Sequence, residues 1–253
     1  MKYIIFDLDD TLLNNKREIS PYTQEVLEKL QKMGHKLVFN TARSKDFCMK
    51  YFEQLRPDYA ILNGGAMIMD GEGKLVWLAE LDAKTTQAVI QELLGLSEVL
   101  YVQTVEEFFS HKGRRSFQTF TPIDFETEEF SQSAQKIVTD IADDEKAAEI
   151  AEKFNLAYTT YMGGTFRRYN NPGATKALGN QNLMKLTGGS LEDVIAFGDD
   201  LGDLDMLREA GVGVLMKNAR PELFGKTDYI SEYTNDEDGV ARFLVDWFGL
   251  EEK

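Results

Sequence analysis

The chain has 253 residues, 43% of them hydrophobic, a net charge of −15 and a single cysteine, Cys48. This length can bury a substantial core and predicts one large domain or a domain carrying an insertion. The charge argues against nucleic acid or an anionic membrane as partner, no apolar run nears the roughly 18 residues of a membrane span, and one cysteine excludes an internal disulfide framework; a reducing cytoplasm is the expected location.

Tyr3-Ile4-Ile5-Phe6 is a short apolar strand that runs straight into Asp7, Asp9 and Asp10. It is too short, and too acidic at its end, for a signal peptide. Ser20-Pro21 reads as an N-cap and first-turn proline, and Tyr22, Val26, Leu30 and Met33 recur at helical spacing until Gly34. Lys36 to Phe39 is a second strand, ending at Asn40-Thr41. Ser44 caps a second helix that stops before Pro57, and Tyr59 to Leu62 is a third strand followed by Asn63. This βαβαβ rhythm predicts a Rossmann-like, doubly wound parallel α/β sheet, whose ligands bind beyond the carboxyl ends of the strands.

The rhythm changes near residue 64. Ala66–Met69 and Leu75–Leu78 form a hairpin, Asp82 caps a helix through Leu94, and strands follow at Leu100–Gln103, Phe108–Ser110, Lys136–Thr139, 156–161 and 165–169, with a helix at 144–154. We therefore expect an inserted α+β cap domain over 82–168, with the sheet core made of 1–81 and 169–253. The α/β rhythm then returns. Asn171-Pro172-Gly173 opens a helix through about Leu186, Val194 to Phe197 is a fully apolar strand ending at Gly198-Asp199-Asp200, and a helix follows from Asp203. Val212–Leu215 is a strand, and Val240–Phe248 a closing amphipathic helix.

Two strands from opposite ends of the chain thus finish in acidic clusters, Asp7/Asp9 and Asp199/Asp200/Asp203. In one parallel sheet their carboxyl ends share an edge, and gathered carboxylates need a counter-charge. Mg²⁺ suits a site of a few carboxylates, a carbonyl and waters. Lys176 supplies a second positive charge. Strand-end carboxylates facing a divalent ion, with a lysine and the Thr41 hydroxyl, are the equipment of phosphoryl transfer, where catalysis is largely positioning and charge neutralisation.

These residues resemble the four motifs of the haloacid dehalogenase superfamily of phosphatases. Asp7-Leu8-Asp9-Asp10-Thr11 is similar to the first motif, Thr41 to the second, Lys176 to the third, and Gly198-Asp199-Asp200-Leu201-Gly202-Asp203 to the acidic fourth. Asp7 and Thr41 lie only 34 positions apart, whereas 135 positions separate Thr41 from Lys176 and hold the insert. That arrangement resembles the Cof-type branch, with its cap between the second and third motifs. Thr41-Ala42-Arg43, Asn63-Gly64-Gly65-Ala66 and Asn218-Ala219 also look like that branch.

The resemblance implies an aspartyl-phosphate mechanism. Asp7 attacks phosphorus, and Asp9 protonates the leaving oxygen and then activates water. Asp7, the Asp9 carbonyl and Asp199 surround Mg²⁺. Thr41 and Lys176 hold the phosphoryl oxygens, and Asp203 orients Lys176 or a water molecule. Asp200 takes an outer or surface place, while Ala42, Arg43, Asn63 and Asn218 are carried as substrate-side residues. For its first role Asp9 must start protonated, as a neighbouring carboxylate favours. Two departures stand out: Ala42 occupies a turn position usually held by glycine, and Gly202 replaces the asparagine that usually precedes Asp203.

The expected function is Mg²⁺-dependent hydrolysis of small phosphorylated metabolites: sugar phosphates, nucleotides, or cofactor phosphates such as flavin mononucleotide and pyridoxal phosphate. A phosphosugar mutase and a non-catalytic phosphate-binding regulatory module are the alternatives. The basic run His111-Lys112-Gly113-Arg114-Arg115 reads as a solvated face, Phe108-Phe109 as core, and His35 as a surface residue. Oligomeric state is not readable from the sequence.

Overall fold

The computed structural model describes residues 1–112, 120–161 and 164–250. The chain starts with β1 (Tyr3–Phe6), α1 (Pro21–Lys32), β2 (Lys36–Asn40), α2 (Lys45–Leu55), β3 (Tyr59–Leu62) and the hairpin β4 (Met67–Asp70) and β5 (Leu75–Leu78). Then come α3 (Ala83–Leu93), β6 (Leu100–Gln103), β7 (Phe108–His111), β8 (Thr121–Ile123), β9 (Lys136–Thr139), α4 (Asp144–Lys153), β10 (Ala157–Tyr161) and β11 (Phe166–Asn170). The last stretch holds α5 (Lys176–Thr187), β12 (Val194–Gly198), α6 (Leu204–Glu209), β13 (Val212–Leu215), β14 (Tyr229–Ile230) and α7 (Gly239–Phe248). Two compact units result, one of residues 1–78 with 175–253, the other of residues 79–174.

The first unit is a doubly wound sheet in the order β14-β13-β12-β1-β2-β3-β4-β5. All pairs from β14 to β3 are parallel, and the hairpin adds two antiparallel strands. The chain winds outward from β1 to one side and returns to its other side at β12, so the topological switch lies between β1 and β12. Ile4 and Phe6 pack with α1, α2 and α7 on one face; Tyr3 and Ile5 pack with α5 and α6 on the other. Burial on both faces explains why β1 is continuously apolar rather than alternating. Each fully buried Ile or Phe contributes on the order of 1.5–3 kcal/mol.

Local signals set the helices. The Ser20 hydroxyl accepts from Thr23 N–H at 3.0 Å ahead of Pro21, whereas Ser44 precedes α2 without a side-chain cap. α5 starts later than its sequence suggests. Asn171 Oδ1 accepts from Gly173 N–H at 2.8 Å, which makes Asn171-Pro172-Gly173 a side-chain-closed turn, and Thr175 is the true cap, accepting from Leu178 N–H at 3.1 Å. Lys176 is therefore the first residue of its helix. His35 is not a free surface residue: its Nδ1 accepts from Lys2 N–H at 3.1 Å and its ring lies against Phe248.

The second unit is an α+β sandwich with sheet order β10-β11-β9-β6-β7-β8. Its pairs are antiparallel except β7 with β8. Helices α3 and α4 bury Val89, Ile90, Leu93, Ala147 and Ile150 against one face of that sheet. Phe109 belongs to this core and Phe108 does not. His111 departs from the expected solvated run, being buried with Nδ1 accepting from Phe125 N–H at 3.2 Å, and Lys112 pairs with Glu126 at 2.6 Å. Arg114 and Arg115 lie outside the described residues.

Candidate active site

The switch point places Asp7, at the end of β1, beside Asp199, at the end of β12; Asp7 N–H donates to Phe197 O across the two strands at 3.1 Å. Thr41 and Asn63 follow β2 and β3 on the same sheet edge. Beyond Asp7 the chain turns tightly, with Leu12 N–H reaching Asp7 O and Leu13 N–H reaching Leu8 O, and Asp10 at φ 57°. That turn brings Thr11 Oγ to donate to Asp199 Oδ1 at 2.9 Å.

Lys176 is the hub. Its Nζ lies 2.9 Å from Asp7 Oδ1 and 2.5 Å from Asp203 Oδ1, with the lysine side chain only 9% exposed. A cation at the first position of a helix opposes the helix dipole; here two carboxylates offset it. Burial works against the charge of Lys176, but Asp203 and Asp7 outweigh it and hold its pKa above the usual lysine value. Asp203 is fully buried, and its second oxygen accepts the N–H groups of Asp199 and Asp200, each at 3.1 Å. Gly198 makes this approach feasible, because a Cβ there would stand 2.4 Å from Asp203 Cβ.

Asp7, Asp199 and Asp203 each offer a carboxylate oxygen within 4.8 Å of the others. Burial, partly offset by Lys176 and reinforced by Asp203, pushes Asp7 up to about 7. Burial followed by the charges of Asp203 and Asp7 pushes Asp199 up to about 8. Hard oxygen donors this close, two of them reluctant to ionise, fit a small divalent cation such as Mg²⁺. Asp203 already spends both oxygens on Lys176 and two amides, so Asp7 and Asp199 are the better-placed side-chain donors.

Asp9 behaves differently from its expected protonated state. Arg43 grips it twice, Nε to Oδ2 at 2.7 Å and an Nη to Oδ1 at 2.6 Å, and Arg17 pairs with the same carboxylate. Burial raises its pKa, but the hydrogen bonds and charge of Arg43, then the charge of Arg17, prevail and hold Asp9 below the ordinary carboxylate value. Arg43 thus engages Asp9.

The remaining residues brace the site. Thr41 is buried, its Oγ accepting from Arg43 N–H at 3.2 Å and its carbonyl from Gly64 N–H at 2.9 Å. Ala42 adopts no positive φ, so alanine fits a turn where glycine is common. Asn63 does take φ 53°, and its N–H donates to Arg43 O at 2.9 Å. Asn218 donates from Nδ2 to Asp10 O at 2.7 Å and accepts from Asn235 N–H at 2.9 Å. Asp200 is turned to Arg220, 2.5 Å from its Nε, and caps the turn at Leu201. Gly202 has open space around it.

Three contributors received no role from the sequence, although Thr11 stands in the first motif. Asn40 is fully buried and donates to Lys176 O at 2.9 Å and Asn180 Oδ1 at 2.8 Å, anchoring the start of α5 to the end of β2. Its position beside Thr41 was a signal. Arg17 and Thr11 act through contacts that only the folded turn creates.

A family model for haloacid dehalogenase-like hydrolases matches residues 4–244. Two phosphatases of Bacillus subtilis (strain 168), each named for 5-amino-6-(5-phospho-D-ribitylamino)uracil, are 29% and 28% identical to the chain, covering 98% of it and 96% and 97% of themselves. A crystal structure of a haloacid dehalogenase-like hydrolase from Bacteroides thetaiotaomicron superposes with a TM-score of 0.82 at 25% identity, covering 98% of this chain and 99% of that one. No helix among the described residues is long and apolar enough to cross a membrane. With the family match spanning nearly all of it, the chain belongs to the haloacid dehalogenase-like hydrolases and is an enzyme of that class.

Proposed function

We propose that this hydrolase is a phosphatase of small phosphorylated metabolites that works through an aspartyl-phosphate on Asp7. The observation that carries the reading is the Lys176 ammonium held between Asp7 and Asp203 at the start of α5, next to Asp199. A helix N-terminus and a lysine favour a bound phosphoryl group, and Thr41 at the neighbouring strand end adds a hydroxyl.

In this reading an Asp7 oxygen bonds to phosphorus while the bond to the leaving oxygen breaks, and Asp9 gives that oxygen its proton. Water then attacks phosphorus, Asp9 takes the proton, and the bond to Asp7 breaks to free phosphate. Asp9 can act as the acid only after leaving Arg43 and Arg17, which hold it ionised. Lys176 neutralises the nucleophile and the phosphoryl oxygens, and Asp203 fixes Lys176. Asp7 and Asp199, with the Asp9 carbonyl, would hold Mg²⁺, which supplies charge neutralisation when bound. Residues 79–174 would act as the cap that restricts the substrate to small molecules.

The test is phosphate release with Mg²⁺ from a panel of sugar phosphates, nucleotides, flavin mononucleotide, pyridoxal phosphate, the ribityl-aminouracil phosphate of the relatives' names, and an aryl phosphate. Release from none of them overturns the proposal. Asp9→Asn should keep metal affinity and lower turnover by about 10²–10⁴-fold, the usual worth of general acid–base catalysis. Isomerised product without free phosphate would favour a mutase, and phosphate bound but never released a regulatory module.

A further inference from the structure

Arg17 stands in a loop whose hydrogen bonds fix its direction. Asn14 N–H donates to Glu18 O at 3.0 Å, and Arg17 N–H donates to Asn14 O at 2.8 Å. Asn14 Oδ1 accepts from the N–H groups of Lys16 and Glu18 at 2.9 and 3.0 Å, so an asparagine side chain closes the loop. Arg17 itself takes φ 62°, a left-handed backbone uncommon for a long side chain. From α2 the Tyr51 hydroxyl donates to Arg17 O at 3.0 Å, and the buried Tyr51 ring also carries the Arg43 guanidinium, 5.3 Å from its centroid. One buried tyrosine thus braces both arginines. An unusual backbone conformation that its surroundings hold in place points to a use for the residue that bears it.

What the loop presents is a guanidinium. Arg17 Nη1 pairs with Asp9 Oδ1 and lies 3.6 Å from Asp10 Oδ1, while its side chain stays 48% exposed. In the proposed reaction Asp9 turns away from this pair, and from Arg43, to meet the leaving oxygen. That movement leaves two guanidiniums on the leaving-group side without the carboxylate they share at rest. An anion a few bonds from the ester oxygen falls within reach of the guanidinium that touched Asp9 and can take the vacated place. Arginine suits that exchange, because its planar fork pairs equally well with a carboxylate or a phosphate. In a chain of net charge −15 a local cation also favours the approach of a substrate that carries more than one negative group.

We propose that Arg17 is a specificity-determining residue that selects substrates bearing a second anionic group, a carboxylate or another phosphate, close to the phosphate ester. The inference rests on the phosphatase reading of Asp7 and Asp9. The incoming anion exchanges with Asp9 on Arg17, so that binding of such a substrate itself releases the acid.

The test compares phosphoglycolate, which adds a carboxylate, and the bisphosphate of ethylene glycol, which adds a phosphate, each with ethyl phosphate. All three are measured as competitors of the best substrate from the panel, with the full-length protein and Mg²⁺, so that a constant is obtained whether or not they are themselves hydrolysed. At least one of the two should bind tighter than ethyl phosphate by about tenfold or more, the usual worth of a hydrogen bond to a charged group. Arg17→Gln, shown to be folded by its thermal melt, should erase most of that advantage, and Arg17→Lys should keep part of it. Equal inhibition constants for all three esters overturn the proposal. So does an Arg17→Gln loss shared equally by ethyl phosphate and its anionic analogues, as a merely structural arginine would give. Turnover of no ester in the panel instead overturns the phosphatase reading, and the inference with it.

Discussion

Asp203 faces Lys176 at 2.5 Å with one oxygen and the amides of Asp199 and Asp200 with the other, and no part of its side chain reaches solvent. It acts as the clamp between the lysine and the acidic turn. Removing one partner of a buried ion pair costs about 3–5 kcal/mol, because the other charge is left uncompensated. Asp203→Ala should lower unfolding stability by about that amount in urea titrations and reduce kcat by two orders of magnitude or more. A stable, active Asp203→Ala protein would contradict the clamp.

Arg43 and Arg17 hold Asp9 ionised. Removing either guanidinium should raise the Asp9 pKa, since a nearby opposite charge depresses a carboxyl pKa by about 1–3 units. In a kcat–pH profile, Arg17→Gln should therefore move the alkaline limb, where Asp9 loses the proton it must donate, to higher pH. Arg43→Gln, which loses two hydrogen bonds as well as a charge, should move it further. An unchanged limb in both variants would separate Asp9 from the titration that governs turnover.

Asp7 and Asp199 have folded pKa values of about 7 and about 8, against 3.8 for an ordinary aspartate. Each binds its proton more tightly folded than unfolded, so their contribution to stability is greatest in acid and is lost as pH rises from about 4 to about 8. Chelator-treated protein should gain less from these groups at pH 8 than at pH 5.5. Mg²⁺ should raise the melting temperature more at pH 8, where binding no longer has to displace protons. The comparison is a set of four melts; equal Mg²⁺ shifts at both pH values would argue against these carboxylates as the ligands.

Gly65 has φ 102°, and a Cβ on it would stand 2.1 Å from the Thr175 carbonyl oxygen. Gly65→Ala should push the start of α5 away from the sheet edge and displace Lys176, lowering kcat strongly and stability by about 1–3 kcal/mol, the usual cost of overpacking. Ala42→Gly is the contrasting case. With no positive φ to relieve, it should cost only about 0.4–1 kcal/mol through the unfolded chain's added freedom and leave kcat within twofold.

Much of this was legible in the sequence because the strands of the core are buried on both faces and so appear as unbroken apolar runs. Tyr3–Phe6, Tyr59–Leu62 and Val212–Leu215 start and stop where their hydrophobicity does. The two strands missed had no such run: Thr121–Ile123 contains Pro122, and Tyr229–Ile230 is two exposed residues. The acids of the site were readable as strand-end clusters. Their pairing was not, because the grip of Arg43 on Asp9 spans 34 positions and depends on how the turn after Asp7 closes. A favourable helix start at Asn171-Pro172 misled for a local reason, since the asparagine side chain closes its own turn before Thr175 can cap.

The turn that carries Asp7 and Asp9 is tied to residues translated long after it. Asn218 holds Asp10 O, Asn235 Nδ2 reaches Leu13 O at 2.9 Å, and Asp238 accepts from Thr23 Oγ at 2.9 Å and from the Ser20 hydroxyl. A growing polypeptide therefore carries Asp7 for some two hundred residues before the parts that set its loop exist. The turn thus takes its final set only once residues 218–238 are in place around it.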